Sequence, residues 1–164
     1  MALQSKMTVY AALAGVLALM GGIFYYGNLD TVQLNQVEIE LTNVELRDVN
    51  TIDNQAKFNV TFLIKNPSDK TFTVPLIGYQ LDGDGILLGS GEYSTLDISM
   101  PGRAAFFPGV EIPLKNIFVL TKSEVNSEIY QDAIENRINS FSAEGSITTQ
   151  SSWMTVDVEF KSGF

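Results

Sequence analysis

Ala56-Lys57-Phe58-Asn59-Val60-Thr61-Phe62-Leu63-Ile64-Lys65 is the stretch that decides the fold. Ala56, Phe58, Val60, Phe62 and Ile64 alternate with Lys57, Asn59, Thr61, Leu63 and Lys65. A period of two puts every apolar side chain on one side of an extended strand, whereas a helix would scatter them around its circumference. Asn66-Pro67 follows, and proline has no N–H to continue a ladder, so the strand ends there. Working outward, Val37, Ile39 and Leu41 form an earlier inward-facing set, after which the parity flips to Val44 and Leu46. A flip needs one extra residue, which predicts a bulge near Thr42-Asn43.

The same period continues towards the C-terminus. Ile77, Tyr79 and Leu81 make a strand, and Asp82-Gly83-Asp84-Gly85 turns the chain into Ile86 to Leu88. Leu96, Ile98 and Met100 read as another, closed by Pro101-Gly102; Val110, Ile112 and Leu114, then Ile147 and Thr149, then Met154, Val156, Val158 and Phe160 complete the set. Seven or eight short strands with turn residues between them predict an all-β sandwich over residues 37–164. One helix interrupts it. Thr121-Lys122-Ser123-Glu124 has the form of a capping box, and Val125, Ile129, Ala133, Ile134 and Ile138 recur at helical spacing.

The N-terminal end is of another kind. Residues 7–26, MTVYAALAGVLALMGGIFYY, carry no charge. Twenty residues at the helical rise span about 30 Å, the thickness of a bilayer hydrocarbon core. Phe24, Tyr25 and Tyr26 stand at the far end, where aromatic rings favour the lipid–water boundary. Lys6 and the amino terminus mark residues 1–6 as cytoplasmic by the positive-inside rule, which places the strand domain outside the cytoplasm. A cleaved signal peptide is the rival reading, but no small-x-small pair lies near Met20-Gly21-Gly22. Residues 27–36 read as a polar linker.

The 164-residue chain has no cysteine and no histidine, which removes thiol nucleophiles, imidazole bases and the usual zinc, haem and iron–sulfur ligand sets. Residues 27–164 hold nine basic and nineteen acidic side chains, a surface that repels nucleic acid. We expect no enzyme activity, no cofactor and no small-molecule substrate.

At this point the sequence resembles the late embryogenesis abundant group 2 family, also called the water-stress and hypersensitive-response (WHy) domain. Phe58 to Pro67 matches that family's alternating strand ending in Asn-Pro, and Val74-Pro75-Leu76-Ile77-Gly78-Tyr79-Gln80-Leu81 resembles its second strand. Gly85-Ile86-Leu87-Leu88-Gly89-Ser90-Gly91 resembles its hairpin return, and Pro108 to Leu120 with Ala143-Glu144-Gly145-Ser146 resembles its later half. Ser68 stands where the family often has a second asparagine. The resemblance covers roughly residues 35–162 and implies a fibronectin-III/immunoglobulin-like sandwich with a stress-protective or envelope role. Asn66, Pro67, Gly89 and Gly91 are its structural devices: a side-chain amide that can fold onto backbone, a ladder stop, and two positions free of a β-carbon.

Four further groups stand out. Asp82 and Asp84, in a glycine-rich turn, could hold calcium at low affinity, although Asp-Gly is also an ordinary hairpin turn. Phe106-Phe107 are adjacent in a loop and cannot both enter one core, so one of them is a candidate contact with lipid or a partner. Trp153 reads as a core anchor or, if exposed, as part of a partner surface, the core being the expectation. Ala14, Gly15, Ala18 and Gly22 would let another helix approach closely, which supports an alternative role as an accessory subunit of a larger membrane complex. The partners expected are therefore the bilayer and, in the alternative, such a complex.

Overall fold

A computed structural model describes residues 6–123 and 127–164, with the side chain of Met100 excepted. Helix α1 (Lys6–Leu34) comes first, followed by β1 (Glu38–Asn50), β2 (Gln55–Lys65), β3 (Phe72–Gly83), β4 (Ile86–Ser94), β5 (Ala105–Phe106) and β6 (Glu111–Thr121). A short helix α2 (Ser127–Ile134) then leads to β7 (Phe141–Gln150) and β8 (Thr155–Gly163). The strands form two antiparallel sheets. One has the order β1-β2-β6; the other has the order β4-β3-β7-β8, with β5 added to the start of β3.

The decisive stretch behaves as its alternation requires. Ala56, Phe58, Val60, Phe62 and Ile64 are all at most 2% exposed. They meet Ile77, Tyr79, Leu81, Ala143 and Ile147 of the second sheet, and rings cross the interface directly: Phe62 lies 4.9 Å from Tyr79 and 5.8 Å from Phe160. Edge-to-face contacts of this kind add to the area they bury. Pro113 sits in β6, an edge strand, where a missing N–H is tolerated. The register of β1 on β2 slips between Leu41 and Asn43, at the bulge the parity flip predicts, and again between Leu46 and Asp48.

Turn chemistry closes the ends. Asp84 and Gly85, at φ 49° and 79°, make a two-residue turn with both central residues left-handed, the form whose twist suits a hairpin. Helix α2 ends in a Schellman motif: Asn136 is left-handed, Arg137 N donates to Asp132 O at 2.8 Å, and Asn136 N donates to Ala133 O at 3.3 Å. That stop places Ile138 beyond the helix, not on its stripe. Thr121 closes β6, so the expected capping box does not start the helix there, and its Glu124, with Val125, lies outside the described residues.

Two other expectations are corrected. Leu96, Ile98 and Met100 do not form a strand. Ile98 N donates to Thr95 O, and the Arg103 guanidinium donates to the carbonyls of Thr95, Leu96 and Ile98, so the segment folds into turns that leave Leu96 and Ile98 exposed. Nor do residues 27–36 form a linker. Helix α1 runs unbroken to Leu34, whose side chain is fully buried in the sandwich core.

Candidate functional site

The register collects one set of connections at the end of the sandwich that α1 enters. Glu38 pairs with Lys65 and Lys65 with Glu111, while Thr73 pairs with both Gln150 and Ala105. The β2–β3 turn, the segment after β4, the β5–β6 loop and the β7–β8 turn therefore share this end. Asn66 ties the two sheets together there. Its amide nitrogen donates to Lys70 O and Phe106 O, each at 2.8 Å, and its Oδ1 accepts from Ser68 N at 3.0 Å and Ser68 Oγ at 2.7 Å. Its own backbone pairs with Val110 and Gly109. The side chain is 1% exposed with its hydrogen-bonding capacity used, whereas neighbouring Pro67 is exposed.

The last two turns of α1 are fastened to this end. Asp30 accepts from Trp153 Nε1 at 3.1 Å and pairs with Lys70 Nζ at 3.2 Å. Gln33 Oε1 accepts from Asp69 N at 3.1 Å, Thr31 Oγ1 lies 3.0 Å from Met154 Sδ, and Leu34 O accepts from buried Thr149. Between the helix and the β7–β8 turn runs a largely apolar groove of about 840 Å³, lined by Leu19, Gly22, Ile23, Tyr26, Trp153 and Met154 with Asp30 and Lys70 at its upper end. Trp153 is 85% exposed, which corrects its assignment to the core: it occupies a turn that projects beside α1.

Phe106 is also corrected as a contact candidate. It is 1% exposed and stacks on Phe72 with ring centres 5.5 Å apart, whereas Phe107 is 58% exposed. Along α1, Ala14, Gly15, Ala18, Phe24, Tyr25 and Tyr26 are exposed and Gly22 is half-buried beside the groove. A β-carbon added at Gly15, Gly21 or Gly22 would meet nothing within 4 Å.

Asp84 has work of its own within the turn. Its carboxylate accepts from Asn139 N, Ser140 N and Ser140 Oγ at 3.0–3.2 Å, fastening the α2–β7 connection to the β3–β4 hairpin. Those bonds use the lone pairs that a calcium ion would need. Asp82 lies before the turn, in β3, opposite Leu87 and Ser142. The Asn139 backbone N–H, followed by Ser140, holds the Asp84 carboxyl below its ordinary 3.8. A depressed carboxyl stabilises the fold fully above its unfolded value and loses that contribution as pH falls through the folded one. The melting-temperature gap between this chain and Asp84→Gly, which keeps the left-handed turn, should be present at about pH 6 and narrow only as pH falls below the ordinary 3.8. A pH-independent gap would contradict it.

A second concavity, about 790 Å³, lies on the outer face of the five-stranded sheet along Gly78, Gln80, Ser90, Ser146 and Glu159. Glu144 and Lys161 pair across it at 2.9 Å. Among the described residues no group of three or more Asp and Glu side chains converges as a metal site would require.

The fastening of Asp30 to Trp153 joins residues 123 apart in sequence, so no local pattern announces it. The one available sign is a tryptophan in a Ser-Ser-Trp-Met turn, where nothing local can cover it.

No protein-family model and no curated protein matches this sequence. Solved structures do. The solution structure of At1g01470 from Arabidopsis thaliana superposes with a TM-score of 0.56 at 15% identity, covering 77% of this chain and 78% of that one. The X-ray structure of structural-genomics target SoR45 gives 0.50 at 11% identity, with 79% and 84% covered. The solution structure of a candidate late embryogenesis abundant (LEA) protein, At2g46140.1, gives 0.46 at 12% identity, with 98% and 88% covered. At such identities the first two likenesses speak to the fold of the strand domain alone, a two-sheet antiparallel architecture that this chain carries behind a helix long and apolar enough to cross a membrane.

Proposed function

We propose that this chain is a non-catalytic, single-pass membrane protein whose fibronectin-III-like strand domain, of the late embryogenesis abundant group 2 type, stands outside the cytoplasm in a stress-protective or envelope role. The observation that carries the reading is the first helix. Its apolar side chains along the span are largely exposed: Leu13, Leu17 and Phe24, for example, are 59%, 62% and 77% exposed. Such a surface is stable in lipid and costly in water.

The absence of histidine and cysteine supports a non-catalytic role. The Asn66 corner supports the family reading, because the Asn-Pro motif that carries the resemblance is the fastening between the sheets. An acidic, hydroxyl-rich surface that holds water and contacts clients weakly suits protection. Lys6 at the near end of the span supports that orientation.

Two fractionations test this reading on the full chain carrying a C-terminal tag. It should stay in the membrane pellet after alkaline carbonate, and protease added to intact cells or spheroplasts should destroy the tag. A carbonate-soluble chain, or a tag protected in intact cells, would overturn the anchor or its orientation. A membrane protein co-purifying in fixed stoichiometry would instead favour the accessory-subunit role through the Ala14, Gly15, Ala18 and Gly22 face.

A further inference from the structure

We propose that the β7–β8 turn is seated in the headgroup layer of the bilayer that α1 crosses, with the Trp153 indole as its lipid contact, so that the domain sits on the membrane and does not swing above it. This rests on the membrane-anchor reading and adds a lipid-binding residue and a fixed standoff to it. The first support is height. Trp153 Nε1 donates to Asp30, four residues beyond Tyr26, which is about 6 Å along a helix. The polar layer outside the hydrocarbon core is about 5–7 Å deep on each side, so the indole N–H stands within it. From that hydrogen bond the ring lines a groove with Ile23, Tyr26 and Leu19, the side towards the apolar span.

The second support is the chemistry of an exposed tryptophan. An indole that is 85% exposed, with its N–H satisfied and its apolar body uncovered, suits the boundary between lipid and water. The third is rigidity. Leu34 is fully buried, Gln33 accepts from Asp69 N, and Asp30 holds both Trp153 and Lys70. No free joint lies between the span and the sandwich, so the turn cannot rise from the surface without breaking these contacts. Phe107, Leu96 and Ile98 add exposed apolar surface to the same end.

Trp153 is the chain's one tryptophan, so its emission reports this turn with no substitution. The full chain would be inserted into phosphatidylcholine liposomes brominated either near the headgroup or near the bilayer centre. Expected are a blue-shifted emission, loss of intensity that is greater with shallow bromines than with deep ones, and weak quenching by aqueous iodide. A carbonate-resistant chain whose Trp153 is quenched by iodide and by no brominated lipid would overturn the inference and leave the anchor standing. Blue-shifted emission that neither agent reduces would also overturn it, placing a second copy of the chain over the indole. A chain that carbonate extracts from the liposomes would overturn the anchor and this inference together. Asp30→Ala gives an independent check: freeing the indole N–H should loosen the turn and raise iodide quenching, and unchanged quenching would remove Asp30 as the positioning residue.

Discussion

Asn66→Ala should lower the stability of the strand domain by about 3 kcal/mol, a fall in melting temperature of about 10 °C. Truncation removes four side-chain hydrogen bonds at once and takes a partner from Phe106 O and Ser68 N inside the buried corner, while Lys70 O, nearer solvent, keeps Ser68 Oγ. Each buried polar group left without a partner costs about 1–3 kcal/mol, and partial relaxation of the turn recovers some of it. Asn66→Asp should be worse than alanine. It keeps the acceptor for Ser68 but turns a carboxylate oxygen towards two carbonyls in a desolvated site. Pro67→Ala, one residue on, should change stability by less than about 1 kcal/mol, since Pro67 is exposed and its role is to end the ladder. Thermal unfolding of the full chain in detergent, followed by circular dichroism, compares the three. Equal effects at 66 and 67 would mean that the motif acts through backbone restriction and not through the amide.

That motif also marks where the sequence is legible. Alternation from Ala56 to Ile64 identifies a strand and its buried side because each residue carries its own part of the signal, and the parity flip at Thr42-Asn43 locates a bulge for the same reason. Leu96, Ile98 and Met100 alternate just as clearly but have no strand to pair with, and Arg103 takes the carbonyls of Leu96 and Ile98 into a turn instead. Period two is necessary for a half-buried strand and not sufficient.

The fastening of α1 was hidden for a different reason. Gly27-Asn28-Leu29-Asp30 is polar enough to read as a linker, and only the folded partners of Asp30, Gln33 and Leu34, at Lys70, Trp153, Asp69 and Thr149, make it a helix end. Trp153 reads as a core residue from its type, but a four-residue turn between adjacent strands carries it outward. Local pattern thus predicts which residues are inside the sandwich, while contacts between distant segments decide how the sandwich meets the helix.

Gly91→Ala should be among the most damaging single-methyl additions in the domain, costing about 3 kcal/mol, and the cost should depend on Tyr79. Tyr79 and Gly91 are cross-strand partners, and a β-carbon at Gly91 would fall inside the Tyr79 ring. The ring has little freedom to withdraw. It is 3% exposed, packs edge-on against Phe62 at 4.9 Å and tilted against Phe118 at 6.5 Å, and its hydroxyl accepts from Asn116 Nδ2 at 2.9 Å. That hydrogen bond crosses from β3 to β6, so Tyr79 links the two sheets on the side where β4 and β6 lie together. Gly91 is therefore the space the ring occupies, and its backbone flexibility is incidental. Gly89 differs: its φ of 152° lies in a region that side chains rarely adopt, next to the register shift between Leu81 and Asp82, so alanine there strains the backbone whatever its neighbours do. A double-mutant cycle separates the two cases. Tyr79→Leu removes the ring, and in that background Gly91→Ala should cost less than about 1 kcal/mol, a coupling of about 2 kcal/mol, while Gly89→Ala should keep its backbone cost in both backgrounds, altered only by what Phe118 yields when the ring beside it is gone. Undiminished loss at 91 beside Leu at 79 would assign that glycine, too, to backbone conformation.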